Sequence, residues 1–186
     1  MIRAAISSVS LPVMLTPLMN RSASHSPAMP TRVRRIRRTI SMEEALGILD
    51  LAEQTGLVLQ PSYAKDAMNI CACCGCCCGV LRMARMTSEP ASVLVSAFRA
   101  NLDAELCQGC ATCKSRCQME AITVNGKAAL DLSRCIGCGL CVSTCPSGAL
   151  NLVRKPAAEQ RRLPADMVQA YIEWGKTRGT ISTPSL

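Results

Sequence analysis

Cys107-Gln-Gly-Cys110-Ala-Thr-Cys113-Lys-Ser-Arg-Cys117 and Cys135-Ile-Gly-Cys138-Gly-Leu-Cys141-Val-Ser-Thr-Cys145-Pro146 share one spacing, C-x2-C-x2-C-x3-C. They belong to an internal repeat. Asp103 to Ile122 aligns with Asp131 to Leu150, each copy opening on an acid, carrying its cysteines at the same intervals and closing on Glu120-Ala121-Ile122 or Gly148-Ala149-Leu150. Between the copies, Asn125-Gly126 is a strong signal for a two-residue hairpin. Three closely spaced thiolates can cover three irons of one cubane. The chain then leaves that centre, so the fourth cysteine serves the neighbouring one. The expected ligand sets are Cys107, Cys110, Cys113 and Cys145 for one [4Fe–4S] cluster, and Cys135, Cys138, Cys141 and Cys117 for the other. Zinc also takes four thiolates, but two interlocked runs in tandem point to cubanes.

Residues around the motifs suit that chemistry. Gly109, Gly137 and Gly139 let backbone N–H groups approach sulfur, and Ile136 and Leu140 can shield the second centre. Gln118 departs from the pattern, because this position after the fourth cysteine usually carries proline. Glutamine frees a backbone angle and removes no ligand, so coordination is expected to survive.

The wider composition agrees. The chain has 186 residues, 14 cysteines and only four aromatic residues, Tyr63, Phe98, Tyr171 and Trp174. Large aromatics normally supply much of a core, and sulfur must stand in for them here. The cysteines fall in three tight blocks rather than being spread through loops, which favours metal over a disulfide framework and a reducing compartment. No apolar run is long enough for a membrane helix. The net charge of +8 is mostly local. Residues 1–41 hold seven arginines and no acid, and the rest of the chain is close to neutral. Nucleic-acid binding would need a folded basic face, usually with stacking aromatics, and neither is visible.

The third block, Asn69-Ile-Cys71-Ala-Cys73-Cys74-Gly-Cys76-Cys77-Cys78, repeats the C-x2-C-x2-C pattern at Cys71, Cys74 and Cys77. Those three are candidates for a third centre, with Cys73, Cys76 or Cys78 as a fourth ligand. Adjacent cysteines cannot all reach one cubane, so ligand sets remain open, as does a role as reactive or structural thiols.

Four regions are expected. Residues 1–40 form a disordered basic arm, whose Arg-rich, Ser-rich, acid-free composition is also that of a transit peptide. Residues 41–102 form a helical segment carrying the cysteine-rich block 71–78. Its elements are a helix over 41–55 opened by a Ser41/Glu44 capping box, a short strand over 57–60, and helices over 80–86 and 91–102, the latter opened by Pro90. Residues 103–153 form the cluster domain. Residues 154–186 form a C-terminal helix and tail, the helix running from Pro164 to Lys176 with Met167, Ala170, Tyr171 and Trp174 as a packing stripe.

Residues 103–153 resemble a bacterial dicluster 2[4Fe–4S] ferredoxin. The resemblance implies an α+β fold, a ferredoxin-like dicluster (pseudo-twofold βαβ-βαβ) module flanked by short helices, and electron transfer as its activity. The block at 71–78, followed by this module and Leu152-Val-Arg-Lys-Pro156, is similar to bacterial and archaeal 4Fe–4S dicluster-domain proteins, from about Ser41 to Gly179. Residues 1–40 do not share that similarity.

The expected function is single-electron transfer through two [4Fe–4S] clusters between redox partner proteins in the cytoplasm, with no catalytic site of its own. Two alternatives are an iron–sulfur subunit wiring electrons into an oxidoreductase complex, and a redox or metal sensor using 71–78. Expected partners are a ferredoxin-dependent oxidoreductase or a complex subunit. Acids and bases cancel within 103–150, whereas each oxidised cubane with four thiolates carries a charge of about −2. The docking surface is therefore expected to be anionic and to meet a basic patch. The lone His25 has no partner in sequence, and no phosphate-binding or dinucleotide fingerprint occurs.

So little apolar volume makes metal binding part of folding. Iron-free protein is expected to lose the fold of residues 103–153, seen as a poorly dispersed NMR spectrum that regains dispersion on anaerobic reconstitution.

Overall fold

The computed structural model describes residues 40–180, so the expected basic arm and the last residues of the tail lie outside it. The chain is mixed helix and sheet. Helix α1 (Met42–Gln54) starts where the capping signal put it, with the Ser41 hydroxyl accepting from the Glu44 N–H at 3.1 Å. Strand β1 (Val58–Pro61) follows and pairs antiparallel with β2 (Ile70–Cys73), so the first cysteines of the third block lie on a sheet. Helix α2 (Gly79–Met86) leaves the block with Leu81 and Ala84 fully buried.

The helix expected over 91–102 does not form. Pro90 does open a helix, but α3 (Pro90–Val93) lasts four residues, and Phe98–Leu102 is strand β3. Strand β3 pairs antiparallel with β6 (Leu150–Arg154), register Phe98 to Arg154 through Leu102 to Leu150. Long-range pairing outweighs a weak local helical preference. It also carries the first strand back to Phe98, ahead of the boundary expected at 103.

Between these strands lie α4 (Thr112–Arg116), the hairpin β4 (Ile122–Asn125) and β5 (Lys127–Leu130) turning at Gly126, and α5 (Leu140–Ser143). The order is β-α-β twice, with the outer strands paired to each other and the inner strands paired to each other. Helices α4 and α5 pack side by side. The repeat is unequal in backbone chemistry. Ala111 and Glu120 sit at φ 60° and 56°, where the second copy has Gly139 and Gly148. A side chain in that left-handed region costs about 1–2 kcal/mol, so the first copy carries strain that the second avoids.

Two small cores result. One holds Ala100, Ala121, Ile122, Ala128 and Leu150 with Cys113, Cys135 and Cys141. The other holds Val58, Leu81, Ala84, Met119, Ile136 and Leu140, joining the N-terminal segment to the repeat. Three side chains tighten that joint. Arg116 donates to the carbonyls of Gln54 at 2.9 Å and Glu53 at 2.6 Å, at the C-terminal end of α1, where a cation also meets the negative end of the helix dipole. Arg134 donates from Nε to the Met119 carbonyl at 2.9 Å and from its two Nη atoms to Thr87 and Arg85. Gln118 donates to the Gly56 carbonyl at 3.0 Å.

Helix α6 (Met167–Thr177) begins later than Pro164. Asp166 is its cap, accepting from the Gln169 N–H at 2.8 Å. Ala170 is fully buried and Trp174 stacks on Tyr63 at 6.3 Å, so part of the expected stripe does pack. Tyr171, however, is 62% exposed and meets the Trp174 ring edge-on. No described helix is long and apolar enough to cross a membrane.

Arg116→Ala removes both carbonyl bonds at the end of α1. Hydrogen bonds to charged groups are worth about 1.5–3 kcal/mol, and partial solvent exposure puts this loss at the lower end. Amide exchange in residues 42–56 is expected to accelerate while the β3–β6 pairing keeps its protection.

Candidate metal centres

Two cavities lie in the repeat, and each is walled by four cysteines. Cys107, Cys110, Cys113 and Cys145 line one, beside Leu102 and Leu150. Cys117, Cys135, Cys138 and Cys141 line the other, with Ile136 and Leu140 over it. The structure thus brings together both tetrads expected from the spacing. The cause is local. Cys113 sits on α4 and Cys117 caps its C-terminal end, while Cys141 sits on α5 and Cys145 follows that helix. With the two short helices side by side, the cysteine that follows each helix falls at the cavity of the other.

Backbone amides turn toward the sulfurs in the same crossed way. The Ala128 N–H, on β5, donates to Cys107 Sγ at 3.3 Å, and the Ala100 N–H, on β3, donates to Cys135 Sγ at 3.5 Å. Cys117 Sγ accepts from the Ala121 N–H at 3.2 Å. Ala100 and Ala128 were not legible as site residues, because an alanine side chain carries no signal for what its N–H does.

Gly109 and Gly137 are needed for close approach. They sit at φ +69° and +68°, and a Cβ on either would run into a carbonyl oxygen, that of Gly126 for Gly109 and that of Phe98 for Gly137. Each motif loop is therefore seated directly on the backbone of a strand or hairpin.

The electrostatics of the two cavities differ. Burial pushes Cys138 up to about 11 and Cys141 up to about 12, with neighbouring thiolates adding to the rise. Burial also raises Cys113. Exposed Cys110 is held below the usual thiol range by the hydroxyl and N–H of Thr112. Burial works against the anion at Cys145 too, but the Ser147 hydroxyl and the N–H groups of Leu150, Ala149 and Ser147 hold it low. Sulfurs buried in a low-dielectric wall cannot all be anions unaided. A cation among them would supply the missing charge and displace their protons. A donor set of four sulfurs selects soft or borderline metals, namely zinc, copper(I) or iron–sulfur clusters.

Comparison with known families decides among these. Residues 128–151 match a family described as the 4Fe-4S binding domain. The matched stretch runs from β5 through Cys135, Cys138, Cys141 and Cys145 into β6. The chain is an iron–sulfur protein, and this domain holds at least one iron–sulfur cluster. No curated protein matches the chain.

The block at 71–78 is arranged differently from the two tetrads. Of the expected set, Cys74 and Cys77 lie with their sulfurs 3.6 Å apart, while Cys71 accepts from Asn69 Nδ2 at 3.3 Å. Cys74 is joined to Cys76 in a disulfide. Cys73 and Cys78 turn inward beside Gln60 Nε2, which donates to Cys78 at 3.9 Å. Burial pushes Cys73 up to about 11. At Cys78 burial acts the same way, but the N–H groups opening α2 and the Cys73 thiol outweigh it and leave this thiol lowered.

Gly137→Ala is expected to unseat the second motif loop from Phe98. Iron bound at the second tetrad should fall sharply, while the first tetrad, with its own glycine intact, keeps its share. Iron and acid-labile sulfide per chain, with EPR of the reduced protein, reads this directly.

Proposed function

We propose that the chain is an electron-transfer protein that passes single electrons through two [4Fe–4S] clusters held by a ferredoxin-like, pseudo-twofold βαβ-βαβ module. The observation that carries this reading is the pair of four-cysteine cavities, each made of three cysteines from one motif and the fourth from the other. Cys107, Cys110, Cys113 and Cys145 would hold one cluster, and Cys135, Cys138, Cys141 and Cys117 the other. A cubane supplies a one-electron couple, and the protein sets its potential through hydrogen bonds to sulfur, burial and nearby charge.

The chain's own residues supply those controls. Amide donors from Ala100, Ala128 and Ala121 favour the more negative, reduced state of whatever they face. Met119, Ile136 and Leu140, all nearly fully buried, keep water from the second tetrad. The first tetrad is more open: Cys110 is exposed. The first centre is then the natural point of electron entry and exit, and the second the interior station. A redox partner with a basic patch, in a reducing compartment such as the cytoplasm, suits the negative charge that two clusters would bring.

The crossed arrangement has a direct test. Cys117→Ser is expected to damage the centre held by Cys135, Cys138 and Cys141, and to spare the one next to it in sequence. EPR and iron content of this variant beside Cys145→Ser should show complementary losses. Loss of the centre at Cys107, Cys110 and Cys113 in Cys117→Ser would reject the assignment.

A further inference from the structure

Cys74 and Cys76 are bonded across a single residue, Gly75, at the edge of the repeat. We propose that this pair is a redox-active disulfide that exchanges two electrons with the cluster centres, an inference that rests on the two-cluster reading above.

Its position is the first reason. Gly75 is buried, and its N–H donates to Gln118 Oε1 at 2.9 Å. Gln118 follows Cys117, and both line the second cavity. One hydrogen bond and one side chain thus join the disulfide loop to the cavity wall. A Cβ at position 75 would meet that same Oε1 at 2.9 Å, so the Gln118 side chain lies directly against the residue between the two cysteines. Cys73 and Cys78, on either side of the bridge, pack against the same core as Cys117 and Cys138. Gln118, the departure from the usual proline, is the residue that makes this contact.

A structural staple is a poor account of the bond. Disulfide stabilisation from restricting the unfolded chain grows with the loop enclosed, and this loop holds one residue. The β1–β2 pairing already fixes the strand leading into it. Access and neighbours point to exchange chemistry instead. Cys76 and Cys77 are exposed, and the sulfurs of Cys74, Cys76 and Cys77 lie within 4.8 Å of one another. An exposed disulfide with a third thiol at hand is the arrangement of labile, exchanging bonds.

The electron count closes. Reduction breaks the Cys74–Cys76 bond, takes up two electrons and two protons, and leaves two thiols. Each of two singly reduced centres gives up one electron, and water supplies the protons. The one-electron donor protein that loads the module replaces both electrons. Two one-electron stations and one dithiol together convert single-electron traffic into a pair.

The test uses the full chain, reconstituted anaerobically with iron and sulfide and titrated with reduced methyl viologen. Wild type is expected to take up about four electrons, and the Cys74→Ser/Cys76→Ser variant about two, with the iron count unchanged. Alkylation and mass spectrometry should find Cys74 and Cys76 as thiols after reduction. Gln118→Ala, at full iron content, should form those thiols several-fold more slowly. An intact disulfide beside two EPR-visible reduced clusters overturns the disulfide proposal alone. Equal rates in wild type and Gln118→Ala overturn the coupling, since the viologen then reaches the bond directly. Iron loss in the double variant overturns it by making the pair cluster ligands. A wild-type chain with only one cluster overturns the two-cluster reading, and with it the match of two electrons to one bond.

Discussion

Alanine and sulfur make up most of the interior of the repeat. Ala100, Ala121 and Ala128 bury little apolar area, and Cys113, Cys135 and Cys141 occupy places where a protein of this size would put leucine or phenylalanine. Burial stabilises by roughly 25 cal/mol per Å² of apolar surface, so such a core is weak by itself. Two of its sulfurs, those of Cys113 and Cys141, are moreover pushed toward the neutral thiol by burial. An iron–sulfur cluster relieves both problems at once, by filling volume and by compensating thiolate charge. The fold is shaped around that requirement. Strands at the periphery are paired two by two, helices are cut to four or five residues, and the motif loops are pressed onto strand backbones by glycines at left-handed φ.

The N-terminal segment answers a second requirement, the exclusion of water from one of the two tetrads. Val58, Leu81 and Ala84 close over Met119, Ile136 and Leu140. The polar part of that joint is made by repeat side chains reaching outward. Arg116 ends on backbone carbonyls of α1, Arg134 on those of Arg85 in α2 and of Thr87 just after it, and Gln118 bridges Gly56 and Gly75. Two of these residues, Arg116 and Gln118, flank Cys117 directly. The stretch that closes the first motif is therefore also the one that fastens the N-terminal segment and its cysteine block to the second tetrad. The two halves of the repeat differ at this point: Pro146 follows the fourth cysteine in one and Gln118 in the other, and Gln118 is the one that bonds to the N-terminal segment.

The grouping of the cysteines around two cavities was legible in the chain because it depends on spacing. C-x2-C-x2-C-x3-C written twice states the number of cysteines and how they are grouped, three close together and a fourth set apart. The hairpin at Asn125-Gly126 and the cap at Ser41 were equally local, each requiring only the conformation of a few consecutive residues. Strand β3 was not legible. Phe98 to Leu102 carries no strong alternation, and its identity as a strand comes from Leu150–Arg154, which lies far along the chain. The same holds for α6, whose beginning at Met167, after the Asp166 cap, rather than at Pro164 goes with loop contacts in which the Pro164 and Ala165 carbonyls accept from the Lys65 and Asp66 N–H groups.

The sequence by itself determined that this is an iron–sulfur protein of mixed helix and strand, since thiolate count and spacing are properties of a single stretch of chain. Only the tertiary structure decided which amides, from Ala100 and Ala128, point at the sulfurs. It alone showed that Gln118 ties Gly75 to the second cavity, and that Cys74 is bonded to Cys76. Those outcomes depend on the antiparallel pairing of β3 with β6 and on two short helices lying side by side. Such contacts join residues distant in the chain, and no local preference encodes them.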